Sequence, residues 1–236
     1  MQEEYHTSPT KQATADGCDT LYNPTYDQTY HSTLGALTEA RHVFLEATGV
    51  TERLQQSQPT RVLEVGFGTG LNFLLTAHHA EQAHVPLHFV SLEKNVLPAI
   101  LLARLNHGEI LGAMALQSAL VAWRKTLPET PLPSVYHFAS SDTITLDLLV
   151  GDATTTVLPV PPFDAVYLDA FSPDTNPELW TKPFLARLYD ALKSGGRLTT
   201  YSAKGSVRRA MTAAGFAVEK RPGPPGKREM LVGVKP

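Results

Sequence analysis

One cysteine, Cys18, stands in 236 residues, so neither an internal disulfide nor a cysteine-built metal cluster is open to this chain. No apolar run approaches the roughly 18 residues that a membrane-spanning helix needs, and residues 1–30 are too polar for a secretion signal. The expected location is therefore the cytoplasm, with no membrane partner. Histidines 78, 79, 84, 88, 107 and 137 fall at no spacing that suits a metal, so none is expected. A Ser–His–Asp arrangement and a phosphate loop of the G-x-x-x-x-G-K-[ST] kind are also missing. Charge is sparse too, 18% of residues against 42% hydrophobic, the balance of a folded domain rather than a disordered chain.

What is present reads as one domain with a generous core. Residues 1–20 are polar and without periodicity, which predicts a flexible arm, followed by a single domain over 21–236. Within it, 21–59 form an N-terminal extension with a helix over 33–47, and 60–236 form the core. The core alternates: strand 61–65, helix 70–82, strand 87–92, helices 96–107 and 109–125, with Pro98 in the first turn. Two β-like runs, 134–139 and 144–150, suggest a hairpin. Strand 163–168 and helix 179–192 follow, the latter stopped at Ser194-Gly195-Gly196. Strand 197–201, helix 204–214 and an antiparallel pair, 216–220 with 229–234, finish the chain. Alternating β and α units imply a mostly parallel sheet covered on both faces, here with a terminal antiparallel hairpin.

The segment Val62-Leu-Glu-Val-Gly-Phe-Gly-Thr-Gly-Leu-Asn72 carries the most information. Gly66, Gly68 and Gly70 end a strand and open a helix, where glycine lets the backbone turn sharply and approach a ligand. Glu64 in that strand argues against a pyrophosphate and for a cationic amino-acid ligand. Leu71 stands where a dinucleotide fingerprint wants Gly or Ala, so a nicotinamide dehydrogenase is disfavoured. The plain alternative is an ordinary strand–helix turn. Ligands in such sheets sit beyond the strand C-termini. There Glu93 suits two ribose hydroxyls, or is a surface carboxylate. Asp152 suits an adenine amine, or is a helix N-cap. Asp169 leaves an apolar strand into a loop with Phe171 and Pro173. It is suited to orienting an amine and helping to remove its proton, or is a loop-capping residue.

Net charge is −3, yet from Lys204 onward eight Lys or Arg face two Glu, an excess of +6 on an acidic remainder of −9. Such an edge suits an anionic partner such as RNA, or is a solvated face.

Taken with Tyr30-His-Ser32, Glu39–Leu45, Glu64–Asn72, Leu149–Ala153, Leu168–Pro173 and Lys220–Leu231, the chain resembles a known family. It is similar to the methyltransferase half of the bifunctional tRNA 5-methylaminomethyl-2-thiouridine biosynthesis proteins and their stand-alone relatives. The resemblance implies a Rossmann-like class I fold using S-adenosyl-L-methionine. It implies methyl transfer to the 5-aminomethyl group of (2-thio)uridine at the tRNA wobble position. Glu64, Gly66, Phe67, Gly68, Gly70 and Asn72 would then serve the cofactor, with Glu93, Asp152 and Asp169. Asp169 would be catalytic. Tyr30, Phe171 and Pro173 would line the acceptor site, and Lys220, Arg221, Lys227 and Arg228 would hold the tRNA anticodon stem-loop. A separate flavin-dependent oxidoreductase is the expected source of the amine. His31, in place of an aromatic, and two adjacent prolines in the basic loop depart from the pattern. A transferase acting on a free small amine and a non-catalytic RNA-binding module are the alternatives.

Overall fold

The computed structural model describes residues 8–159 and 162–236. Three short strands come first: β1 (Thr10–Ala13), β2 (Asp19–Asn23) and β3 (Gln28–Thr29), paired antiparallel in that order. Residues 10–20 are thus not the flexible arm that their polarity suggests, while residues 1–7 of that arm lie outside the described residues. Polar side chains hold this segment: Asp16 accepts from the Thr38 amide at 2.8 Å, and Asn106 accepts from the Asp19 amide at 2.8 Å.

Helix α1 (Ala36–Glu39) runs directly into a π-helical stretch, Ala40–Glu46, and α2 (Val50–Gln55) follows. The core elements are β4 (Thr60–Val65), α3 (Leu71–Ala83), β5 (Leu87–Glu93), α4 (Ala99–Ala103), α5 (His107–Leu111) and α6 (Met114–Thr126). Then come β6 (Ser134–Ala139), β7 (Ile144–Val150), β8 (Phe163–Leu168), α7 (Lys182–Ala191), β9 (Leu192–Thr200), α8 (Gly205–Ala213), β10 (Ala217–Pro222) and β11 (Glu229–Val234).

Eight strands form one sheet in the order β10-β11-β9-β8-β4-β5-β7-β6. The four interior pairings around β4 are parallel, while β6 and the β10–β11 hairpin add antiparallel edges. Both faces of the middle are covered, which is why β8 is buried at every position. Successive side chains alternate between the two halves of the core: Val62, Ala165 and Tyr167 pack on one face, Leu63, Val166 and Leu168 on the other. Chain order reverses on either side of β4, so a crevice opens at its C-terminal end.

Several element ends differ from the sequence-based expectation, among them the start of α7 at Lys182 and the span of α4, and three have a local reason. The helix expected over 109–125 breaks at Gly112, whose positive φ of 68° ends α5 before α6 begins. Pro98 is extended and precedes α4 rather than sitting in its first turn. Gly195 and Gly196 do not stop α7. They lie inside β9, opposite the irregular register between Phe163 and Ala165.

Candidate active site

A cavity of about 530 Å³ lies over the ends of β4, β5, β7 and β8. Residues 26–34, from the β2–β3 hairpin onward, form one of its walls. Gln28 ties that wall to the loop after β8: its Nε2 donates to Ser172 Oγ at 2.8 Å, and its Oε1 accepts from the Ser172 amide at 3.2 Å.

One end of the cavity is built by the glycine loop. Gly66 has φ 95°, and a Cβ there would stand 2.6 Å from the Asp169 carbonyl oxygen. The loops after β4 and β8 therefore meet where only glycine fits. Gly68, at φ 50°, faces the Tyr30 ring in the same way, with 2.9 Å to Cδ1. Gly70 caps the start of α3 against Phe67. Glu93 accepts the Gly68 amide at 3.0 Å and the Asn95 amide at 2.8 Å, so its carboxylate fastens the loop while lining the cavity. Burial nevertheless raises its pKa. Asp152 accepts from the Thr154 amide and hydroxyl at 2.9 and 2.6 Å, capping a turn rather than a helix, and it lines the cavity. Those hydrogen bonds lower its pKa, opposing burial.

Asp169, Phe171, Glu39, Tyr201 and Lys227 also line the cavity, Asp169 directly beside the glycine loop. Asp169 Oδ2 accepts from Asn72 Nδ2 at 2.8 Å, and the same nitrogen donates to Glu64 Oε1 at 3.0 Å. Ser91 Oγ donates to the second Glu64 oxygen at 2.6 Å. Burial raises Glu64 to about 8. Burial, with the charges of Glu39 and Glu64, raises Asp169 well above the ordinary carboxyl range, against the Asn72 hydrogen bond and the Lys227 charge. Phe171 packs against Tyr26 and Tyr30, ring centroids 4.6 and 5.2 Å apart, giving an aromatic wall beside the carboxylate.

Of the residues singled out from sequence, Gly66, Phe67, Gly68, Glu93, Asp152, Asp169, Tyr30, Phe171 and Lys227 line this one cavity. Glu64 and Asn72 are buried behind it and reach it through Asp169. Gly70 shapes the loop from behind, and Pro173 lies half-buried outside the lining. Lys220 pairs with Glu229 at 2.6 Å, Arg221 with Glu219 at 2.9 Å and Lys227 with Glu39, so three of the four expected grip residues are already matched by acids. Lys227 points inward to Glu39, and Arg228 is exposed. Tyr201 and Gln28 were not legible as site residues, because each comes from a segment with no motif of its own; Glu39 opens a segment that carried the resemblance, but nothing in it pointed to the cavity. His31 is buried, held at 3.1 Å to Thr20 Oγ1, and burial brings it down to about 3.

The positions fit S-adenosylmethionine: a strand-end glycine turn where a Cβ would collide, and carboxylates at the ends of β5 and β7 facing the same space. The S-adenosyl-L-methionine-dependent methyltransferase family matches residues 116–236. The tRNA 5-methylaminomethyl-2-thiouridine biosynthesis bifunctional protein MnmC of Cupriavidus metallidurans is 41% identical over 220 residues, 90% of this chain and 32% of that protein. Its namesake in Ralstonia nicotianae is 39% identical over 232 residues, 96% of this chain and 34% of that protein. The chain spans about a third of the length of these curated relatives. The crystal structure of MnmC2 from Aquifex aeolicus matches with a TM-score of 0.76 and 27% identity, covering 99% of this chain and 74% of that one.

Proposed function

The chain belongs to the S-adenosyl-L-methionine-dependent methyltransferases, and from that premise we propose that it methylates the 5-aminomethyl group of (2-thio)uridine at the tRNA wobble position. The names of its similar proteins support the substrate. The observation that carries the chemistry is Asp169, which lies where the glycine loop meets an aromatic-walled chamber.

The cofactor supplies an electrophilic methyl group carried on a sulfonium. Gly66, Phe67, Gly68, Glu93 and Asp152 would hold it, with Glu64 and Asn72 supporting from behind. Phe171 and Tyr30 offer ring faces to a base splayed out of the anticodon loop. Asp169 orients the acceptor nitrogen through its N–H and receives the proton that the nitrogen sheds. Most of the acceleration comes from this positioning in a partly desolvated chamber.

On this reading the protein works in the cytoplasm, beside a flavin-dependent oxidoreductase that frees the amine on the same tRNA. Among the described residues no helix is long and apolar enough to cross a membrane. The test is transfer of labelled methyl to tRNA bearing 5-aminomethyluridine, followed by nucleoside mass spectrometry. Methylation of a free polyamine without tRNA, and none of the tRNA, would refute the proposal.

A further inference from the structure

The basic loop between β10 and β11 is folded so that one of its cations turns toward the cavity, a third of its side chain staying exposed. The Gly223 amide donates to the Arg228 carbonyl at 3.2 Å, and the Lys227 amide to the Pro224 carbonyl at 2.9 Å. Gly226, at φ 83°, presses against Leu34, where a Cβ would collide with that side chain. His42 Nε2 meets the Pro222 carbonyl at 2.8 Å. The loop is thereby fastened to the N-terminal extension. Lys227 turns into the cavity while Arg228 stays outside.

Inside, the Lys227 ammonium pairs with Glu39 and lies 4.1 Å from the centroid of the Tyr201 ring. Glu39 is only 6% exposed and also accepts the Ser32 amide at 3.0 Å, so it is a fixed partner. The groups that face this ammonium are Glu39 from the α1 end, Asp169 after β8 and Tyr201 after β9. Glu178 and His31 line the same cavity. A lysine paired to a buried carboxylate is poorly placed to hold a phosphate. Two carboxylates and a ring face would otherwise make a good ammonium site. Lys227 already fills it.

An alkylamine acceptor is mostly an ammonium in neutral water, and that form has no lone pair to attack with. A fixed cation beside the acceptor position disfavours a second one. We propose that Lys227 is a positioning residue that makes the acceptor end of the cavity admit the amine in its neutral form, its proton left to solvent on entry. This rests on the amine-methylating reading above.

The test compares the unaltered protein with Lys227→Met and Lys227→Arg. The acid limb of kcat, which reports the bound amine, should move up by about one pH unit in Lys227→Met with aminomethyluridine tRNA, roughly a tenfold loss at its foot, with the gap closing at high pH. Lys227→Arg should keep the original limb. A second readout needs no turnover: calorimetry of the same tRNA binding to cofactor-free protein, in buffers of different ionisation heat. Proton release near pH 7 should fall in Lys227→Met and persist in Lys227→Arg. An unmoved limb with unchanged proton release in Lys227→Met overturns the inference. Absence of methyl transfer by the unaltered protein at any pH overturns the amine-methylating reading instead, so the two failures are distinct.

Discussion

Asn72, on the first turn of α3, donates its side-chain N–H to Asp169 at 2.8 Å across 97 positions of sequence. The bond joins the helix that follows the glycine loop to the residue that leaves β8, and so fixes the carboxylate's direction. Asn72→Ala should lower kcat about ten- to a hundredfold, because small misplacements of a reacting group cost that much. Cofactor affinity should change far less, since Asn72 is not among the residues lining the cavity. Steady-state kinetics together with calorimetric cofactor binding would separate the two effects.

Asp169 itself must be ionised to accept an N–H on either oxygen and to take up a proton. Its pKa is raised well above the ordinary carboxyl value, chiefly by burial. The ionised form therefore appears only at higher pH than for an exposed aspartate, and activity should climb with pH through that raised value. Asp169→Asn should lose about two to four orders of magnitude in kcat. If the variant kept its rate, Asp169 would be a loop cap and nothing more.

Much of this architecture was legible in the sequence, for identifiable reasons. The parallel strands are short, apolar and bounded by glycine or acidic residues, so β4, β5 and β8 could be placed within one residue. The cavity-lining carboxylates Glu93 and Asp169 were legible because they stand at the ends of β5 and β8. Residues 10–20 were not, since short edge strands held by side-chain hydrogen bonds to Asp16 and Asn106 carry no hydrophobic period. The sequence puts Lys227 in a basic tRNA grip, and its place in the cavity was illegible for a related reason. Local sequence states its charge, but only the packing of Gly226 on Leu34 states its direction.

Glu64 gives the fold a pH dependence of its own. Its folded pKa of about 8 lies above its ordinary 4.5, so the folded state binds its proton more tightly. The associated stability is complete below about 4.5 and is lost as pH rises through about 8. Between those limits the slope is on the order of 1 kcal/mol per pH unit while one extra proton is bound by the folded state. Glu64→Gln should flatten part of that decline. Urea unfolding midpoints at pH 5, 6, 7 and 8 would reveal it, and parallel curves for both proteins would reject it.

Gly66 and Gly68 separate backbone demand from ligand demand. A methyl at Gly66 strikes the Asp169 backbone carbonyl, which cannot swing aside as a side chain can. Gly66→Ala should cost about 1–3 kcal/mol of stability and remove cofactor binding. At Gly68 the obstacle is the Tyr30 ring, which can rotate. Gly68→Ala should therefore stay closer to native stability while weakening cofactor affinity. Thermal melts with and without S-adenosylmethionine would order the two variants.

The outer basic edge remains the candidate tRNA grip, with Arg228 kept from the expected set and Arg208 joining it. Arg208 and Arg228 both act on Glu229 from the protein's surface, and both are exposed. Lys220 and Arg221, by contrast, already have acidic partners. Replacing Arg208 and Arg228 with Ala should weaken tRNA binding and reduce the slope of log affinity against log salt by about 1.4 to 1.8, two phosphate contacts' worth. Cofactor binding should be untouched, because neither side chain lines the cavity. Filter binding at several salt concentrations measures the slope directly. A weakened affinity with an unchanged slope would mean that the two arginines support the β10–β11 loop rather than touch phosphate.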